Sequence, residues 1–471
     1  MKTTLQYALT AVVALILGIP STTLHAERAR PNVLFIAVDD LRPEINRFGA
    51  PWMVTPHLDR LADRGVRFDR AYSNNAICGA SRASMLAGLH ATPTRFVTYN
   101  TRVSEDAPGV PTLVAMFKQH GYHTVSNGKV YHNGDDDLAA WSQPPWKAEP
   151  KGDVVWWATE ESRAIDAQEG TQGPAYESAD VDEALYPDAR IASRTIEDLR
   201  RLSEADEPFF IACGFVKPHL PFVAPTKYWD LYPLEETHLP DNMYFPRGMP
   251  EAFSYRWGEM RRYHGIPKEG PVSDDLAKTL IRGYRASVSL IDTQVGRLLD
   301  AVDELGLADN TIIVLWSDHG FQLGEHGFWC KHTDFEVATL IPLIVVAPGI
   351  EGQRSTTRLV ESVDLYPTLC ELAGIAAPDH IVGRSFVPLL HDTQAEHKDA
   401  IFTRHWRSDA VRTDRFRYME TRADGGLGEL EGVALFDVQN DPDENHNVAQ
   451  DPAYANVVDD LRARLTQHRN W

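Results

Sequence analysis

The sequence predicts an α/β fold: a large mixed, mostly parallel sheet flanked by helices, with a smaller C-terminal sheet-plus-helix domain. Three observations carry this. Short apolar runs bounded by turn residues alternate with segments of helical periodicity, the pattern of strands joined by crossover helices. Near Leu390 that rhythm stops, and short strands followed by one helix take over. The length, 471 residues, suits one large domain plus a smaller one.

The elements follow in order. A strand covers 32–38 and a helix 58–64. A second helix starts at Cys78. A helix over 111–120 leads into a strand over 122–125, and helical periodicity over 189–205 precedes a strand over 208–215. A long helix spans 274–305, with apolar positions at Leu290, Ile291, Val295, Leu298 and Leu299. Strands over 311–316 and 343–347 come next. Two stretches interrupt the rhythm. Residues 133–183 are acidic and tryptophan-rich and read as a surface excursion walling a cleft, and 221–271 is an irregular insertion rich in proline and aromatic residues. Short strands over 400–436 and a closing helix over 456–468 complete the chain, which divides into 27–391 and 392–471.

Lys2, an apolar stretch over 7–19 and Ala26 as a cleavage point have the layout of a signal peptide over 1–26, too short for a comfortable membrane span. The mature chain is then periplasmic or secreted, without stable membrane insertion. Its removal takes the formal charge from −21 to −22. Such a charge argues against nucleic acid or anionic membrane as a partner, but a locally positive pocket can still take an anionic substrate. Four cysteines, Cys78, Cys213, Cys330 and Cys370, are too few for a disulfide scaffold.

In open α/β sheets ligands bind at the carboxyl ends of the strands. Four predicted strands end there in polar residues that a core would not supply: Asp39-Asp40, Ser317-Asp318-His319, Lys217-Pro218-His219, and the pair Lys129 and His132. Each has a plainer reading. An Asp-Asp pair after a strand is a frequent helix N-cap, and Asp-His-Gly a turn. His219 between prolines fits a packed loop histidine, Lys331 a solvated lysine, and Cys78 a small buried thiol. Those readings would have to hold independently at four strand ends beside the Cys78 motif. Together, Asp39, Asp40 and Asp318 offer hard oxygen ligands to a divalent cation, and calcium suits a carboxylate-rich site. Without a cation the three would repel. Arg82, Lys129 and Lys331 add positive charge for an anionic group, and the helix after Cys78 points its N-terminal dipole at the same place.

The run Cys78-Gly79-Ala80-Ser81-Arg82 resembles the sulfatase signature Cys-x-Pro/Ala-x-Arg, whose cysteine is oxidised to formylglycine. Further matching stretches are 31–43 (PNVLFIAVDDLRP), 78–88 (CGASRASMLAG), 128–132 (GKVYH), 214–222 (GFVKPHLPF), 317–331 (SDHGFQLGEHGFWCK), 335–339 (FEVAT) and 435–444 (LFDVQNDPDE). With them the chain resembles a type I sulfatase of the alkaline-phosphatase superfamily, in its iduronate-2-sulfatase branch, over nearly the whole mature length. Asp318-His319 is that branch's variant of the more usual Asp-Asn. The resemblance implies an alkaline-phosphatase-like fold and a sulfuric ester hydrolase acting on a sulfated carbohydrate, best matched by a 2-O-sulfated uronic acid. It implies one calcium held by Asp39, Asp40, Asp318, His319 and the modified Cys78. Arg82 holds the formylglycine region, and Lys129 and His132 contact the formylglycine diol. His219 and Lys331 bind sulfate near the leaving oxygen, with His219 a general acid. One diol oxygen attacks sulfur in line, and His132 then takes a proton from the other hydroxyl to expel sulfate.

Two departures stand out. Ala80 replaces the proline that the oxygen-dependent formylglycine-generating maturase usually reads, which leaves the maturase open. His319 is softer than an oxygen ligand, which leaves open a hydrogen-bonding role to the bridging oxygen. Other readings are a sulfatase on another algal-type polysaccharide, a phosphoesterase of the same superfamily using unmodified Cys78, and a non-catalytic glycan-binding protein.

Overall fold

Strand β1, Asn32–Val38, has the bounds read from the sequence. Its side chains divide between two cores: Leu34, Ile36 and Val38 enter one, Val33, Phe35 and Ala37 the other. A strand apolar on both faces needs a helical layer on each side, and that is what surrounds it. The protein is described here by a computed structural model covering residues 30–148, 155–168, 170 and 172–469. The signal peptide expected over 1–26 lies outside the described residues.

The other strands along the sheet are β2 (Val66–Tyr72), β3 (His123–Gly128), β4 (Phe209–Phe215), β5 (Thr311–Ser317), β6 (Leu340–Val346) and β7 (Arg354–Thr356), in the order β7-β2-β6-β5-β1-β4-β3, and the two-residue strand Val360–Glu361 also pairs in parallel with β2. Strand β1 pairs in parallel with β4 and β5, and β3 with β4. Only β6 runs antiparallel to its two neighbours, so the sheet is mixed and mostly parallel, as expected. Strand β2 escapes the sequence reading because Arg67, Asp69 and Arg70 break its apolar run.

One face carries helices α1 (Pro56–Arg64), α4 (Pro187–Ser203) and α5 (Asp274–Glu304), through Leu58, Ile191, Leu199 and the apolar stripe of α5. The other face carries α2 (Cys78–Ala87), α3 (Leu113–Gln119) and α6 (Leu365–Leu372). The smaller unit is a four-stranded antiparallel sheet in sequential order, Ala400–His405, Ser408–Thr413, Phe416–Arg422 and Leu430–Asp437. Helix α7 (Ala455–His468) covers it through Val458, Leu461 and Leu465. The two irregular stretches are tied to each other by short parallel ladders, Gln172–Pro174 with Tyr263–His264 and Tyr176–Ala179 with Phe222–Pro225.

All four cysteines are buried and unpaired. Among the described residues no helix is long and apolar enough to cross a membrane.

Candidate active site

The carboxyl ends of β1, β3, β4 and β5 meet beside the first turn of α2. Close backbone approach makes this possible: a Cβ at Gly214 would lie 2.2 Å from the Lys129 carbonyl carbon. Glycine there lets the end of β4 press against the chain leaving β3, which delivers Lys129 to the site. Gly79 plays the same part in the Cys78 motif, since a Cβ there would meet the Tyr99 carbonyl oxygen at 2.2 Å.

Every residue of α2 is buried, an unusual state for a helix carrying an arginine. Arg82 is fully buried because its whole fork is used. Its Nε donates to Asp318 Oδ2 (2.9 Å), one terminal nitrogen to Asp39 Oδ1 (3.1 Å), and the other to the carbonyls of Lys129 and Val130. Lys129 also donates to Asp39 Oδ2. Asp40 adopts φ 62°, a left-handed conformation that costs about 1–3 kcal/mol for a non-glycine residue. Its N–H donates to Asp318 Oδ1 at 3.1 Å, and Tyr284 donates to its carbonyl at 2.9 Å. No helix follows the Asp39-Asp40 pair, so its carboxylates are not N-caps.

Cys78 Sγ lies 3.1 Å from His319 Nε2 and 4.0 Å from Asp40 Oδ1. His319 Nδ1 faces the Gly320 carbonyl at 3.0 Å and so donates to it, which leaves Nε2 turned towards Cys78 and Asp40. Potential ligand atoms converge in two overlapping groups, Asp39, Asp40, Cys78 and His219, and Cys78, Asp318 and His319. Buried carboxylates plus an imidazole nitrogen fit a divalent cation.

Lys331 is buried rather than solvated, with Nζ 3.1 Å from both oxygens of Asp40. Its neighbours Cys330 (φ 71°) and His332 (φ 27°) are both left-handed, so a contorted turn aims it inward. The three aspartates therefore have protein counter-charges in Arg82, Lys129 and Lys331. This amends the expectation that they would repel without a cation. Burial opposes ionisation of Asp39, but Lys129, His219 and Arg82 outweigh it and hold the group well below the carboxylate range. Burial dominates at Asp318 and raises it.

His219 sits between two cis peptide bonds, Lys217-Pro218 and Leu220-Pro221. Lys217 is buried beneath the turn and donates to the carbonyls of His219 (2.6 Å) and Pro221 (2.7 Å). His219 Nδ1 meets the Leu220 carbonyl at 2.6 Å, and its Nε2 meets Glu259 Oε1 at 2.9 Å. His132 has a buried Nδ1 with no hydrogen-bond partner. Burial, with Lys129 beside it, pushes His132 down to about 3, so its ring is neutral. Lys129, His132 and His219 together line a cavity of about 570 Å³ walled by Trp156, Trp157 and Tyr263.

All ten residues singled out from the sequence thus gather at one place. Glu259 does not emerge from the sequence. It lies in the irregular 221–271 insertion, where no periodicity or motif marks it, yet it contacts His219, Lys331 (3.0 Å) and His332 (3.4 Å). Burial opposes its charge, but Lys331 and His219 prevail and hold it well below the usual range.

A sulfatase family model matches residues 31–375, and a model described as N-sulphoglucosamine sulphohydrolase, C-terminal, matches 324–471. Mouse iduronate 2-sulfatase is 31% identical over 92% of this chain and 93% of its own length. The human iduronate 2-sulfatase is 35% identical over 75% of this chain and 71% of its own. The solved phosphonate monoester hydrolase of Agrobacterium radiobacter superposes with a TM-score of 0.76 at 24% identity, covering 93% of this chain and 95% of that one. That likeness speaks to the fold alone, and one fold hosts several ester hydrolyses. The family match decides the class: the chain belongs to the sulfatase family, with the alkaline-phosphatase fold, and is a sulfuric ester hydrolase.

Proposed function

We propose that the protein is an exported sulfatase of sulfated carbohydrates, acting on 2-O-sulfated uronic acid, with Cys78 converted to formylglycine beside one calcium ion. The observation that carries this reading is the convergence of Cys78, His319, three buried aspartates and the cations Arg82, Lys129 and Lys331 on one point. Identity of 31–35% with mouse and human iduronate 2-sulfatases supports the uronate assignment. The signal-peptide layout supports export, and the Cys78–Arg82 motif supports modification by a formylglycine-generating maturase.

Asp39, Asp40, Asp318, His319 and residue 78 would hold the calcium, which supplies positive charge for the sulfate oxygens. Formylglycine, as its hydrate, supplies a hydroxyl nucleophile. Arg82 clamps Asp39 and Asp318 so that both carboxylates keep one orientation. Lys129 and Lys331 place charge on the two sides of the Asp39-Asp40 pair, where a sulfate group gains most from fixed cations. Neutral His132 accepts a proton from the hydroxyl at position 78. His219, with Nδ1 committed to Leu220, donates from Nε2 to the departing sugar oxygen, exchanging its contact with Glu259 Oε1 for the substrate.

The test is a mass measurement of the peptide carrying residue 78, together with turnover of uronate 2-sulfate. Formylglycine replaces sulfur and two hydrogens by one oxygen, and Cys78→Ala is expected to fold normally yet lose turnover. An unmodified thiol in active enzyme, or sulfate release by the Ala variant, would reject the nucleophile. Release from another sulfated polysaccharide but not from uronate 2-sulfate would replace the substrate.

A further inference from the structure

Glu259 has no part in the reaction described above, yet it sits where the sulfate group is expected. One of its oxygens, Oε1, is 2.9 Å from His219 Nε2 and 3.0 Å from Lys331 Nζ, and Oε2 is 3.4 Å from His332 Nε2. Lys331 and His332, adjacent on one turn, hold this carboxylate independently of His219, so it stays beside the cations when a ligand takes the Nε2 contact of His219. An oxyanion reaching Lys331 and His219 therefore meets a fixed negative charge beside them.

We propose that Glu259 is a specificity-determining residue that selects monoanionic sulfate esters against dianions. This rests on the reading that Lys331 and His219 bind the sulfate group. A sulfate ester carries one negative charge, whereas free sulfate carries two, as does a phosphate monoester above its second pKa of about 6. Each ligand charge feels Glu259 once, so the dianion is penalised twice as much in free energy as the monoanion. Two consequences follow at one site: product sulfate leaves readily, and phosphate monoesters are held weakly although the cations around Asp40 would otherwise attract them.

The experiment compares inhibition constants at pH 8 for sulfate and orthophosphate, both dianions, with that of methanesulfonate, an unreactive monoanion, against turnover of an aryl sulfate. In Glu259→Gln the ratio of the sulfate constant to the methanesulfonate constant is expected to fall by about tenfold, with phosphate following sulfate. Glu259→Asp, which keeps the charge, is expected to retain the parent ratio. An unchanged ratio in Glu259→Gln would overturn the proposal. Should that variant fold poorly, the parent enzyme still decides. It is expected to bind methanesulfonate at least as tightly as sulfate, and a clear preference for the dianion overturns the idea. Lys331→Ala separates the premise from the proposal: unmoved constants for all three anions would show that Lys331 does not bind the sulfate group, which rejects the underlying reading as well.

Discussion

Arg82 shows how much single residues carry in this site. An arginine enters a fully buried helix only because two carboxylates and two carbonyls use its donors, and removing one member of such a set leaves a charge buried without a partner. His219 carries a different burden. Its backbone is held by the buried ammonium of Lys217 and its Nδ1 by Leu220, so its Nε2 has one direction in which to act. A sugar alkoxide leaves poorly without a proton, and a nitrophenolate leaves well. His219→Ala is therefore expected to slow hydrolysis of a sulfated sugar by ~10²–10⁴-fold while changing aryl sulfate turnover far less. Misfolding would lower both rates together, and equal losses would make His219 a sulfate binder and Lys331 the better acid.

At the scale of elements, positive φ recurs in two of the segments that build the site. Asp40 after β1 and the Cys330–His332 turn after β5 are both left-handed, and both aim charged groups at Cys78. The closing helix α7 shows the same economy in a structural role. His468, near its C-terminal end, stacks on Phe402 with ring centroids 3.8 Å apart. Burial, with His90 beside it, pushes His468 down to about 2. Its folded value lies below the ordinary value, so the contribution is intact above about pH 6.5 and is lost as the unfolded chain takes up a proton that the folded chain refuses. Lowering the pH from 7 to 5 is expected to cost up to about 2 kcal/mol through this residue. Melting curves at the two pH values should show a smaller drop in His468→Gln than in the parent, and an equal drop would remove His468 from the acid response.

At the scale of the molecule, a second buried ionic cluster joins the two sheets. Lys398, just before the first strand of the C-terminal sheet, donates to Glu361 Oε1 and Asp364 Oδ1 at 2.5 and 2.6 Å, and Asn74 donates to Glu361 Oε2 and to the Phe402 carbonyl. The C-terminal unit is thereby fixed against the segment leading to Cys78. With one calcium bound as proposed, its removal is expected to abolish turnover but to leave the chain folded, because Arg82, Lys129 and Lys331 already balance the aspartates. The melting temperature should still fall, since a ligand at a thousand times its Kd contributes about 4 kcal/mol. Activity surviving exhaustive chelation, or an unchanged melting curve, would contradict a resident cation.

The sequence by itself determined the layered architecture and named ten residues that the structure brings together at one candidate site. Continuous apolar runs such as 32–38 and 311–316 report burial on both faces, and polar residues directly after them report the ligand edge of the sheet. These are local signals, written within a few residues. Strand β2 was hidden because Arg67 and Asp69 pair with each other and tolerate partial exposure. Only the assembled sheet reveals that β6 runs antiparallel between β2 and β5, since strand direction is a property of pairing and leaves no mark on an apolar run. Tertiary structure alone also decided that Lys331 is buried and that Glu259 faces it. Their partners lie 291 and 72 positions away in the chain, and such contacts are set by packing between segments whose own periodicity says nothing of each other.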